Sequence, residues 1–180
     1  AARILTSAAA DRVADLARYG VNFDAADGEV ALGREGAHSA PRILHAGGDS
    51  TGLEIELSLS SLARRQGVTV LEHTLADRVI VEDGRAVGIA VYDAIRDESA
   101  SYEASNVVLA TGGAGQVFRV TTNPSVSTGD GVALAYACGA EVMDLEFTQF
   151  HPTALRLPEK PVFLISEAVR GEGALLYNTD

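Results

Sequence analysis

One cysteine, Cys138, is all that this 180-residue chain contains. That excludes an internal disulfide and fits a reducing compartment. Its neighbours Ala137 and Gly139 suggest a packed helical position, so burial rather than catalysis is expected of it. Positive charge is scarce as well. Lys+Arg total 14 against 25 Asp+Glu, a formal net charge of -11, which argues against a nucleic-acid partner. No apolar run approaches the roughly 20 residues that span a bilayer as a helix. The opening Ala1-Ala2-Arg3-Ile4-Leu5 lacks the pattern of a signal peptide. No membrane partner and a cytoplasmic location are therefore expected. An initiating methionine is missing, and the chain stops just after the apolar Ala174-Leu175-Leu176. The expectation is an internal fragment of a longer protein. There is no internal repeat and no low-complexity segment.

What is present reads as an ordinary globular composition, 47% hydrophobic. Apolar and charged positions alternate at helical spacing over 3–19, ending at Gly20 as a C′ glycine. Val21 to Phe23 reads as a short strand. Residues 24–50 read as a long loop with one hairpin at Asp27-Gly28, and long ordered loops are usually functional. Asp49, Ser50 or Thr51 can cap a helix running to about Gln66. Val68 to Leu71 reads as a strand. Leu75–Val81 and Ala86–Tyr92 flank a hairpin turn at Glu82-Asp83-Gly84-Arg85, and Tyr102–Ala104 adds one more strand. Val107-Val108-Leu109-Ala110 is a continuous apolar run, the pattern of a strand buried on both faces. It feeds Thr111-Gly112-Gly113-Ala114-Gly115, and α/β sheets bind ligands at the carboxyl ends of such strands. A helix follows from Thr128-Gly129-Asp130-Gly131 to about Ala137. Residues 141–150 read as extended.

Taken singly, the polar motifs have plain readings. Thr111-Gly112-Gly113 lacks the spacing of the dinucleotide fingerprint and reads as a tight strand-exit turn. Asp130 suits the first turn of a helix as a dipole-matching carboxylate. His151 precedes Pro152, which holds it extended in a loop. Glu167 and Arg170 form an i,i+3 pair, worth little on a surface. Glu35, His38, His45 and Asp49 are metal-ligand types, but their spacing matches no zinc motif, so no metal site is assigned.

In combination they carry more. Gly33-Arg34-Glu35-Gly36-Ala37-His38-Ser39, then Arg42, His45 and Gly47-Gly48-Asp49-Ser50-Thr51-Gly52, form one block. Phe150-His151-Pro152-Thr153 with Ser166-Glu167-Ala168-Val169-Arg170-Gly171-Glu172-Gly173 forms the other. Together they resemble the flavoprotein family of L-aspartate oxidases, fumarate reductases and succinate dehydrogenases, and the oxidase branch most. The resemblance implies an α/β fold, with a partial, Rossmann-like FAD-binding domain and β-meander over 1–153. It implies the start of a capping domain over 154–180. The cofactor it implies is FAD, touched by the Ala76 backbone, Thr111, Gly112, Gly113 and Asp130. Substrate would be bound by His151, Thr153 and Ser166, the last standing where the family has threonine. Glu35, Glu167 and Arg170 would be catalytic: Glu35 receives a substrate ammonium, and Glu167 with Arg170 relays protons. The family's nucleotide fingerprint would lie upstream of residue 1 and its acid–base arginine downstream.

The implied activity is FAD-dependent oxidation of L-aspartate to iminoaspartate in de novo NAD biosynthesis. Small dicarboxylates such as L-aspartate and fumarate would be its ligands and quinolinate synthase a partner. Two alternatives stand beside it: a soluble fumarate reductase or succinate dehydrogenase flavoprotein, and a catalytically silent folded fragment.

Overall fold

The computed structural model describes residues 2–158 and 160–178. By contacts these fall into two compact units. One takes the residues through Val70 together with those from Ile165 on; the other is Leu71–Leu164.

The first unit opens with helix α1, Ala2–Arg18. Its Asp15 is only 6% exposed and is gripped by Arg12 at 2.6 Å and by Arg18. Pairing from both sides is what makes a buried carboxylate tolerable. Gly20, at φ +105, ends the helix. Val21 is buried at 3% exposure, but the strand expected over Val21–Phe23 does not form. The Val21 N–H instead bonds back to the Leu16 carbonyl at 3.0 Å, closing the helix end. The expected hairpin is present. Strands β1 (Ala25–Ala26) and β2 (Glu29–Val30) pair across Asp27-Gly28, both at positive φ, as a type I′ turn requires. Strands β3 (Leu32–Gly33) and β4 (Ile43–Leu44) pair antiparallel and bracket the loop 34–42. Helix α2 spans Thr51–Arg65. The strand expected over Val68–Leu71 is absent, because the Gly67 and Val68 N–H groups turn back onto the Arg64 and Ala63 carbonyls of α2. Much later in the chain, α4 (Glu167–Gly171) belongs to this same unit.

The second unit is built on an antiparallel meander of β5 (Thr74–Glu82), β6 (Arg85–Asp93) and β7 (Glu98–Glu103). Asp83 and Gly84 adopt positive φ at the β5–β6 turn. Helix α3, Asp130–Ala137, packs against β5. Among the described residues, Ala90 and Val91 on β6 and Leu134 on α3 are the buried hydrophobic side chains of this unit. Cys138 is half-buried at the C-cap of α3, its thiol donating to the Leu134 carbonyl at 3.0 Å. Strands β8 (Ala154–Leu155) and β9 (Phe163–Leu164) make a final short pair.

The strand expected over Val107–Ala110 is not formed, and Val108 is 86% exposed. A strand buried on both faces needs neighbours on both edges, and none of the described strands pairs with this segment. Residues 141–150 also carry no strand and turn at Leu145-Glu146. Among the described residues no helix is long and apolar enough to cross a membrane. The architecture is mixed α/β.

Candidate functional site

Loop 34–42 is fastened to α4 by hydrogen bonds onto the helix's carbonyls. The Gly36 N–H donates to the Glu167 carbonyl at 3.2 Å, and the Arg34 guanidinium donates to the Gly171 carbonyl at 2.9 Å. The approach is so close that a Cβ on Gly171 would collide with the Arg34 carbonyl and lie 3.0 Å from Glu35 Cα. A Cβ on Gly36 would stand 2.7 Å from both Arg170 Nη2 and Glu167 Oε2. Glu167 and Arg170 are themselves ion-paired at 3.1 Å, their side chains 21% and 27% exposed. The half-buried Glu35 therefore shares one small region with Glu167 and Arg170. Ser166 is the N-cap of α4: its hydroxyl accepts from the Ala168 N–H at 3.2 Å and donates to Asp49 Oδ1 at 3.0 Å. His38 lies in the same loop, and its Nδ1 is buried with no hydrogen-bond partner.

The other expected site residues belong to the second unit. The Thr111–Gly113 segment, expected as a turn, is irregular and lies on the start of α3. The Gly129 N–H donates to the Gly113 carbonyl at 3.2 Å, and a Cβ on Gly131 would strike Thr111 Oγ1. Gly129, the N-cap, has φ +84 and makes no side-chain cap bond. Asp130 stands in the first turn, where its charge matches the helix dipole. Ala76 lies on β5, the strand α3 packs against. Gly112, Gly113 and Gly129 bring backbone groups without side chains of their own to the helix start, where Asp130 adds one carboxylate. That donor and acceptor set fits FAD, whose hydroxyls and ring edges need close backbone approach.

Beside this segment lies an open cleft of ≈820 Å³, lined by Ala114, Gly129, Val132, Phe147, Phe150 and His151 among others. Thr111, Gly112, Gly113 and Asp130 do not line it; their chain neighbours do. His151 is half-buried. Its Nδ1 accepts from the Thr153 N–H at 3.3 Å and lies 3.1 Å from the Thr153 hydroxyl. Thr153 is buried at 6% exposure. Among the described residues no group of three His, Cys, Asp or Glu side chains is placed to hold a metal ion.

Sequence reasoning missed two contacts that shape the first region. Asp49 was expected as one of three possible caps of α2, yet its carboxylate receives the Ser166 hydroxyl 117 residues away. Ser50 is the N-cap and makes no side-chain cap bond, and the Thr51 hydroxyl accepts from the Ala46 N–H at 3.2 Å. Asp24 carried no expectation. Its two carboxylate oxygens accept from the Gly47 and Gly48 N–H groups at 3.0 and 2.9 Å. No local signal marks either contact, because the partners lie 117 and 23 to 24 residues apart in sequence.

Comparison with known proteins places the chain. It is 50% identical over 188 residues to the L-aspartate oxidase of Streptomyces coelicolor, covering 100% of this chain and 32% of that protein. It is 48% identical over 179 residues to the L-aspartate oxidase of Mesorhizobium japonicum, covering 98% and 34%. Among solved structures, it is similar to E. coli quinol fumarate reductase FrdA with a TM-score of 0.82 and 31% identity, covering 89% of this chain and 27% of that one. Mycobacterium smegmatis Sdh1 in complex with UQ1 gives a TM-score of 0.78 and 37% identity, covering 97% and 31%. The chain thus spans about a third of the length of the relatives it matches. The family model described as FAD binding domain matches residues 1–180, and the chain belongs to that family, with FAD as the implied cofactor.

Proposed function

We propose that the longer protein carrying this chain oxidises L-aspartate to iminoaspartate. The carrying observation is the fastening of the Glu35 loop onto α4, which gathers a carboxylate beside the Glu167–Arg170 pair. Relatives named L-aspartate oxidase at 48–50% identity support the same reading. FAD, when bound, would supply the hydride acceptor for this oxidation. The chain's own residues bind and orient. Glu35 receives the ammonium of the amino acid, a group that plain dicarboxylates lack. A carboxylate placed for that ammonium gives discrimination, because a plain dicarboxylate leaves the half-buried Glu35 without its ion pair. His151, Thr153 and Ser166 hold the substrate carboxylates. The Thr153 N–H keeps His151 Nδ1 an acceptor, so neutral His151 carries its proton on Nε2. Glu167 and Arg170, already paired, pass a proton along. Ala76, Thr111, Gly112, Gly113 and Asp130 border the cofactor.

The domain division after Thr153, with an FAD-binding part before it and a capping part after it, belongs to the same proposal. So do a cytoplasmic location and quinolinate synthase as the enzyme that takes up the product. A second reading, a fumarate reductase or succinate dehydrogenase flavoprotein, is favoured by the similarity to FrdA and Sdh1.

Turnover by the FAD-loaded full-length protein tests the choice. The oxidase reading expects L-aspartate to be consumed with release of iminoaspartate and succinate to be a poor donor. Faster succinate than aspartate oxidation puts the second reading first. The isolated 180-residue chain should give neither reaction, since the proposal assigns the nucleotide fingerprint and the acid–base arginine to other parts of the protein.

A further inference from the structure

We propose that Asp49 is a positioning residue that governs the donor state of the Ser166 hydroxyl, and through it the affinity for a substrate carboxylate. This rests on the reading of Ser166 as a substrate ligand given above. A serine oxygen carries one proton and two lone pairs. The proton of Ser166 is donated to Asp49 Oδ1 at 3.0 Å. One lone pair receives the Ala168 N–H at 3.2 Å. A single lone pair is left for a ligand.

A carboxylate ligand only accepts. To gain the Ser166 proton it must displace Asp49, so two carboxylates compete for one donor. The resident one has the advantage of being held in place. On its N-terminal side, Gly47 and Gly48 are clamped by the Asp24 carboxylate. On its C-terminal side, α2 begins at Thr51. Asp49 thus weakens binding of any ligand whose carboxylate needs the Ser166 proton.

The test uses the FAD-loaded full-length protein and the dissociation constant of succinate measured by calorimetry. Asp49→Ala should tighten succinate binding about three- to tenfold, the range expected for freeing one charge-assisted hydrogen bond. Asp49→Asn should give a smaller gain, because its amide oxygen is a weaker, neutral acceptor. It also keeps the side-chain size, so it serves if Asp49→Ala melts early. In the Ser166→Ala background the Asp49 substitutions should change nothing. In the Ser166→Thr background, which keeps a hydroxyl, they should act as before. Unchanged or weakened succinate binding in both Asp49 variants overturns the proposal, as does an equal change with and without the Ser166 hydroxyl. Ser166→Ala alone leaving succinate affinity unaltered sinks the substrate-ligand reading of Ser166, and this proposal with it.

Discussion

At α4 the wall facing a glycine is backbone; at α3 it is a side chain. Gly171 lies against the Arg34 carbonyl, and Gly131 lies against Thr111 Oγ1. Both glycines let two segments touch, but the two walls yield differently. A carbonyl in a hydrogen-bonded loop moves only with its chain, whereas a threonine can be trimmed by substitution. The contrast separates a region whose geometry is fixed by its main chain from one tuned by a removable group.

The sharpest way to break that contrast is Gly171→Ala. Alanine favours a helix over glycine by about 1 kcal/mol, which works in favour of the variant. The clash with the Arg34 carbonyl outweighs it, and a net loss of about 3 kcal/mol is expected by urea unfolding. No single side-chain substitution should restore it. Gly131→Ala should cost about 1–3 kcal/mol, and adding Thr111→Ala should recover most of that in the same unfolding experiment. Equal losses with and without Thr111→Ala would show that the α3 wall is not the threonine.

Two substitutions compare the regions by function in the full-length protein. Glu35→Gln, in the α4 region, should lower kcat/KM for L-aspartate by about 1–3 kcal/mol. Turnover of fumarate or succinate should be spared, since neither has an ammonium. Equal loss on both substrates makes Glu35 structural and advances the reductase reading. His151→Ala, beside the α3 cleft, should instead weaken L-aspartate and fumarate alike, by about 1.5–3 kcal/mol seen in KM. Unchanged KM for both makes His151 a loop histidine.

The mildest expected effect lies outside both regions, at the β6–β7 turn. The Arg96 and Ile95 N–H groups hold the Asp93 carboxyl below its ordinary pKa; desolvation opposes them, and the Arg96 and His73 charges add a lesser lowering. A depressed folded pKa means that this contribution to stability is complete above the unfolded pKa of about 3.9 and is lost as pH falls through the folded value. Thermal melts of the wild-type chain should therefore fall slightly more on acidification than those of Asp93→Asn. Parallel curves would show that Asp93 plays no part in acid sensitivity.

How far the sequence could be read follows from the range of the contacts. The β5–β6 hairpin was legible because Asp83-Gly84 specifies its turn and the strands pair with immediate neighbours. The Asp27-Gly28 hairpin and helices α1, α2 and α3 were legible for the same local reasons. Val107–Ala110 was misread because its apolar run signals burial but not which strands supply it. In the candidate site, Glu35, Glu167 and Arg170 were picked out by resemblance, and the structure brings them into one region. The contacts that do so, Arg34 to Gly171 and Ser166 to Asp49, close loops of 137 and 117 residues. No periodicity or spacing encodes pairings that distant.

The Asp24 clamp has a consequence of a different kind. Successive N–H groups on Gly47 and Gly48, both at positive φ, form the sort of concavity that proteins use to capture anions. Here the seat is taken by the chain's own carboxylate, with one oxygen on each N–H. The segment leading into α2 is thereby closed to phosphate or dicarboxylate from solution. An anionic ligand is denied a resting place on the very loop that carries Asp49, and Asp24 acts as a permanent stopper rather than a mere brace.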